Sequence, residues 1–136
     1  MASFLDTNVL LYSISRDPAE AGKRERALAL LDRADGALSL QVLQEFYTQA
    51  TRPSRRDAVD HAIALDLIQG WRRFPVQDIN LAVLDLALRI RAEHRLSYWD
   101  CAIVAAARML GCRELLSEDL THGQRLAGVQ IVNPLL

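Results

Sequence analysis

Ser3-Phe4-Leu5-Asp6-Thr7-Asn8-Val9-Leu10-Leu11-Tyr12 is the stretch that decides the fold. A short apolar run stops at Asp6, two further polar residues follow, and apolar character resumes at Val9. That pattern predicts a strand, a sharp polar turn and a helix, with Asn8 as the expected N-cap. It also leaves an acid at the carboxyl end of a strand, the edge at which open α/β sheets build their sites.

Outward from this unit the same alternation recurs. Residues 20–34 carry Ala27, Leu28, Leu30, Leu31 and Ala34 at helical spacing, with Gly36 as a stop signal. Ala37-Leu38-Ser39 predicts a second strand. Gln41 to Ala50 predicts an amphipathic helix with Val42, Leu43, Phe46 and Ala50 inward. Pro53 puts Arg52 to Arg56 in a loop, because its ring blocks helix continuation. Further helices are expected over 57–70, 78–94 and 97–109, and strands over 74–76, 113–116 and 129–132. Short apolar strands alternating with helices predict a three-layer α/β domain. Its central sheet is expected to be mostly parallel, of four to five strands flanked by helices.

The 136 residues suffice for one domain, expected to span 1–136. Aromatics make up only 6% of a chain that is 51% hydrophobic, so the core must be mainly aliphatic. Formal net charge is -1, which excludes a broadly basic nucleic-acid binder and leaves only local clusters to touch a polyanion. Lys23 is the only lysine; the remaining cations are arginines. Cys101 and Cys112 lack metal-site spacing and read as small buried hydrophobes in a reduced compartment. With no basic leader and no long apolar run, the expectation is a soluble cytoplasmic protein.

Four acids stand out by position. Asp100 falls on the apolar stripe of Ile103, Val104 and Ala107, where an unpaired carboxylate is costly. Ser97-Tyr98-Trp99-Asp100 also fits a capping box, and the helix N-terminus favours the negative charge in either case. Asp6 closes the first strand. Asp119 follows the 113–116 strand, with Glu118 beside it as a rival for the same role. Glu45 lies next to the apolar stripe of its helix and alone would pass as surface. Taken singly, each acid is explained by a turn, a cap or solvent. Collected at one sheet edge they are not, because two carboxylates about 5 Å apart repel by roughly 3 kcal/mol at an effective dielectric of about 20. A divalent cation offsets such repulsion, and carboxylate oxygens suit Mg²⁺ or Mn²⁺.

The motifs resemble those of PIN-domain nucleases. Phe4-Leu5-Asp6-Thr7-Asn8-Val9-Leu10 resembles the family's opening, and Ser39 to Tyr47, containing Glu45, its second acidic motif. Leu96-Ser97-Tyr98-Trp99-Asp100 with the following Cys-Ala-Ile-Val-Ala-Ala-Ala resembles the third, and Ser117-Glu118-Asp119-Leu120 with His122-Gly123-Gln124 the fourth. The ending Gly128 to Pro134 is similar to the bacterial VapC toxin branch. The resemblance runs from residue 3 to 134. It implies a metal site of Asp6, Asp100 and Asp119, with Glu45 in the same acidic group and Thr7, Asn8 and Ser97 in support. It implies one or two Mg²⁺ or Mn²⁺ ions and an endoribonuclease toxin of a type II toxin–antitoxin pair. It further implies a homodimer and a VapB-like antitoxin whose tail crosses the active-site groove.

The chemistry expected of such a site is hydrolysis of RNA phosphodiester bonds by metal-activated water, leaving 5′-phosphate and 3′-hydroxyl ends. Acids repel RNA, so cations must hold the strand: Arg52, Arg55 and Arg56 are the first candidates, Arg72 and Arg73 the second. Tyr98 and Trp99 are aromatic residues that can either stack bases or pack the helix start. A phosphoacceptor receiver or a haloacid-dehalogenase-like phosphatase would need a lysine near a late strand, and Lys23 is early in the chain. A 5′-flap DNA nuclease needs more chain. The non-enzyme alternative is a catalytically inactive PIN-like scaffold that binds protein or RNA.

Overall fold

A computed structural model describes residues 2–136. Strand β1 (Ser3–Leu5) leads into α1 (Thr7–Ser13), a single 3-10 turn (Pro18–Glu20) and α2 (Ala21–Asp32). Then come β2 (Gly36–Ser39), α3 (Leu40–Ala50), α4 (His61–Trp71), β3 (Val76–Gln77) and α5 (Leu81–Glu93). The chain ends with α6 (Tyr98–Met109), β4 (Glu114–Leu116), β5 (Arg125–Leu126) and β6 (Val129–Val132).

Helix starts are set by side-chain caps. Asp6, Ser39, Asp60, Asn80 and Ser97 each accept a backbone N–H from the first turn of the helix that follows. Three expectations are corrected by these caps. Asp6 caps α1, so Asn8 lies inside the helix. Asp60 starts α4 later than residue 57, and Asn80 starts α5 later than residue 78. In each case a free Asp or Asn oxygen satisfies an orphan N–H that the hydrophobic periodicity does not register.

The strands form one sheet in the order β3-β2-β1-β4-β6-β5. All neighbours are parallel except β5 and β6. The layered, mostly parallel α/β architecture is the expected one, with six strands among the described residues instead of four or five. The additional strand, β5, is two residues long, and Ala127 (φ 49°) and Gly128 (φ 82°) turn it back onto β6. Two successive positive φ values match the right-handed strand twist in a two-residue hairpin, and a glycine makes the second cheap. The edge strand β3 begins two residues later than expected, because Phe74 N–H donates to Trp71 O in the turn after α4 and Pro75 has no N–H to give a ladder. The Phe74 side chain is buried against Gly36, where a Cβ would meet its ring at 2.9 Å.

The core is aliphatic, as the composition requires. Phe4, Leu5, Val9, Leu10, Leu38, Leu115 and Ile131 are buried at the sheet. In α6 every residue from Cys101 to Ala107 is buried, and the helix packs on α5 and across β2, β4 and β6. Alanines at four of these seven positions let α6 lie close to both neighbours. Both cysteines are buried and unpaired. Among the described residues no helix is long and apolar enough to cross a membrane.

An acidic cleft at the strand ends

Strand order changes direction between β1 and β4: β2 and β3 lie on one side of β1, β4 and β6 on the other. A parallel sheet opens a crevice at such a point, outside the carboxyl ends of its strands. Asp6 follows β1 there, and Ser117, Glu118 and Asp119 follow β4. The ladder continues one step beyond the strands, since Asp6 N–H donates to Leu116 O at 3.0 Å. Glu45 arrives from the second turn of α3, and Asp100 from the first turn of α6. All four acids line one cleft of about 240 Å³, together with Thr7, Asn8, Gln49 and Trp99.

Asp6 is the deepest, 5% exposed. Thr7 N–H donates to its Oδ1 at 2.7 Å and the Ser117 hydroxyl to its Oδ2 at 2.7 Å. Burial pushes its carboxyl up to about 6, against those two hydrogen bonds, and the negative charges of Asp119 and Glu45 push the same way. Glu45 is half-buried and accepts from Gln41 Nε2 at 3.2 Å and Thr7 Oγ1 at 3.4 Å. Burial raises its pKa, the two donors oppose the rise, and Asp100 and Asp119 add to it. Asp100 is also raised by burial, with Ser97 acting against the shift and Asp119 for it. Ser97 caps α6 by accepting from Asp100 N–H at 3.1 Å. The capping and site readings of Asp100 are therefore compatible: the backbone is capped while the residue lines the cleft.

Asn8 bridges the late loop. Its Nδ2 donates to Asp119 Oδ2 at 3.1 Å, and its Oδ1 accepts from Glu118 N–H at 3.4 Å. Asp119 lines the cleft and Glu118 does not. Glu118 instead accepts from the Tyr12 hydroxyl at 2.8 Å and from Lys23 Nζ at 3.0 Å. The one lysine thus does reach the end of a late strand, although it lies on α2 and lines no part of the cleft.

Among the described residues no lysine, arginine or histidine lines the cleft, so the carboxylates there lack a cationic side chain beside them. Their donors are hard oxygens, with amides of Asn8 and Gln49 nearby, which fits Mg²⁺ or Mn²⁺ better than a softer ion. Among the described residues, no three of His, Cys, Asp or Glu converge into a ready cage. A small divalent cation at this cleft would accordingly retain several waters, as Mg²⁺ usually does.

The arginines are placed elsewhere. Arg55 and Arg56 line a separate hollow with Arg16, Asp17, Glu20 and Asp57. Arg55 Nε lies 2.9 Å from Asp57 Oδ1, while Arg52 and Arg56 are exposed. Arg73 is occupied with the carbonyls of Gly70 and Leu31. Arg72 lines an apolar groove between α3 and α4. Sequence reasoning missed Gln41, which donates to Glu45, and Gln49, which lines the cleft, and it also missed Ser117. Its signal was a small hydroxyl directly after an apolar strand, beside the acid that ends the neighbouring strand.

The PIN domain family model matches residues 3–125. Among solved structures, the chain is similar to a toxin–antitoxin complex from Klebsiella pneumoniae, with a TM-score of 0.73 and 19% identity over 98% of both chains. It is similar to FitAcB from Neisseria gonorrhoeae, with a TM-score of 0.71 and 20% identity over 97% of both chains. A sarcin–ricin-loop-cleaving VapC toxin from Mycobacterium tuberculosis matches with a TM-score of 0.65 and 21% identity, over 87% of this chain and 92% of that one. No curated protein matches the sequence. At these identities the structural likeness speaks for the fold, and the family match covers most of the chain: it belongs to the PIN domain family.

Proposed function

We propose that this PIN domain is a metal-dependent endoribonuclease, and that it is the toxin of a type II toxin–antitoxin pair. The observation that carries the reading is the cleft itself. Four carboxylates from four separate elements share it without a cationic side chain among the described residues, and three of them are shifted toward the protonated form by burial and mutual repulsion. A purely structural cluster gains nothing from that arrangement.

Asp6, Asp100 and Asp119 are the proposed metal residues, with Glu45 completing the acidic group. A divalent cation bound there supplies Lewis-acid chemistry, activating water and neutralising charge on a phosphate. Thr7 and Ser117 hold Asp6 in place, and Gln41 with Thr7 orients Glu45. Asn8 ties Asp119 to α1. These contacts fix three of the four carboxylates, those of Asp6, Glu45 and Asp119, before substrate arrives, so less reorganisation is left for the reaction. RNA is the proposed substrate, cut to 5′-phosphate and 3′-hydroxyl ends. Arg52 and Arg56, which do not line the cleft, are the proposed phosphate contacts, and Trp99, which does line it, is the proposed stacking surface. Arg55 belongs to the same loop but is engaged with Asp57.

The solved relatives include toxin–antitoxin complexes. They support a small VapB-like antitoxin as partner; a homodimeric toxin working in the cytoplasm is part of the same proposal. The domain boundaries proposed are those of the whole chain, 1–136. Incubating the protein with single-stranded RNA and Mn²⁺, with and without a chelator, tests the reading. Metal-dependent cleavage is expected. A protein that neither cleaves nor gains Asp6-dependent thermal stability from Mn²⁺ is a scaffold instead.

A further inference from the structure

Tyr12, Lys23 and Glu118 form a closed triangle outside the cleft. The Tyr12 hydroxyl donates to Glu118 Oε1 at 2.8 Å, Lys23 Nζ donates to Glu118 Oε2 at 3.0 Å, and Lys23 Nζ also donates to the Tyr12 oxygen at 3.2 Å. The ammonium lies 4.9 Å from the Tyr12 ring centroid. Three elements are tied by this triangle: α1 through Tyr12, α2 through Lys23, and the loop after β4 through Glu118. The same loop is held from its other side. Glu118 N–H donates to Asn8, Asp119 N–H donates to Ser117 Oγ at 3.1 Å, and Asn8 donates to Asp119.

Building on the nuclease reading above, we infer that Tyr12 and Lys23 are positioning residues for Asp119. By clamping Glu118 against α1 and α2, they hold the loop after β4 so that its other acid faces the cleft. Adjacent acids on a short loop are otherwise exchangeable, since either carboxylate could turn inward. The clamp engages both oxygens of Glu118 and leaves Asp119 as the one directed at Asp6 and Glu45. It also accounts for the placement of the chain's only lysine. Hydrogen bonds to Glu118 and Tyr12 hold the Lys23 ammonium above its ordinary pKa, so it is charged throughout the neutral range.

Positioning and simple electrostatics predict opposite signs, which makes the inference testable. Removing a positive charge near a cation site strengthens cation binding through the field alone. Removing a positioning contact weakens it. The experiment titrates Mn²⁺ into K23M, Y12F, K23R and D6N by calorimetry, well below each melting temperature, with circular dichroism to confirm the fold. K23M and Y12F are expected to weaken Mn²⁺ binding by about tenfold, the lower range seen for residues that orient metal ligands. K23R, which keeps two donors for Glu118, is expected to stay near the parent. Unchanged or tighter Mn²⁺ binding in K23M and Y12F overturns the inference while leaving the nuclease reading in place. Lower melting temperatures with parental Mn²⁺ affinity also overturn it, since they mark a purely structural clamp. A parent protein that binds no Mn²⁺, or binds it equally in D6N, removes the nuclease reading and the inference together. If K23M does not fold, Y12F decides alone, because it changes no charge.

Discussion

The Ser117 hydroxyl donates to Asp6 Oδ2 at 2.7 Å, joining two residues 111 positions apart at the carboxyl ends of neighbouring parallel strands. Ser117 is fully buried and also accepts the Asp119 N–H at 3.1 Å. One small side chain therefore orients the deepest acid and begins the turn that carries the fourth. S117A removes a donor and an acceptor at once. Stability is expected to fall by about 1–2 kcal/mol, the usual cost of stranding buried polar groups. Losing a hydrogen bond that lowers the Asp6 pKa also moves Mn²⁺ binding to higher pH. Urea unfolding and Mn²⁺ titration across pH measure the two effects, and S117T, which keeps the hydroxyl, is expected to reverse both.

Asp6 gives the metal-free protein a pH dependence of definite sign. Its carboxyl sits at about 6 in the folded chain against 3.8 as the reference value. Between those values the folded state binds more protons than the unfolded one, so stability falls as pH rises through the window and stays reduced above it. D6N removes that penalty. At pH 7 without metal the variant is expected to be more stable than the parent by about 1–3 kcal/mol. The difference should disappear below pH 3.8, where the acid is protonated in both states. Denaturant unfolding at a series of pH values checks this, and a parent more stable than D6N at pH 7 contradicts it.

Trp99 is 65% exposed beside the acids, with its ring set edge-on to Tyr98 at 5.2 Å. Little of its area contributes to the core, so W99A should leave the unfolding midpoint unchanged. Base stacking on an aromatic surface contributes about 1–3 kcal/mol, so KM for RNA is expected to rise about tenfold with kcat little altered. Steady-state cleavage of a short single-stranded RNA separates the two parameters. A loss in kcat alone would contradict a stacking role.

Gly36 supplies a prediction about the fold apart from the chemistry. A Cβ there meets the buried Phe74 ring at 2.9 Å. G36A is expected to lower stability by about 1–3 kcal/mol through overpacking. Mn²⁺ affinity measured at low temperature should match the parent, because neither Phe74 nor any residue of β2 lines the cleft.

Much of the fold and of the candidate site was legible in the sequence. Asp6 could be placed because a strand that stops at an acid puts that acid at a sheet edge, whatever the rest of the chain does. Asp100 could be placed because a carboxylate on an apolar helix stripe is costly unless it caps the helix or serves a site. Glu45 was different. Its helix position reads as ordinary surface, and only the packing of α3 beside α1 turns it toward Thr7 and the cleft. The same limit applies to Glu118 and Asp119, which differ by where Tyr12 and Lys23 fall in space. Ser117 went unread because a serine after a strand has no periodicity to betray it. The two-residue β5 was missed because a pair of residues is too short to alternate. Cap-driven helix starts at Asp60 and Asn80 were missed because apolar spacing continues past them.

The central claim is that the four-acid cleft cleaves RNA with a divalent metal. It is tested most directly by following one labelled single-stranded RNA through incubation with the parent and with D100N, in Mn²⁺ and in excess chelator. D100N is expected to fold like the parent and to cleave at less than about one-hundredth of its rate, the order of loss when a transition-state electrostatic group is removed. The parent is expected to stop cleaving on chelation, and its products to carry 5′-phosphates. Cleavage by folded D100N at the parental rate, or parental cleavage that survives full chelation, would contradict the account.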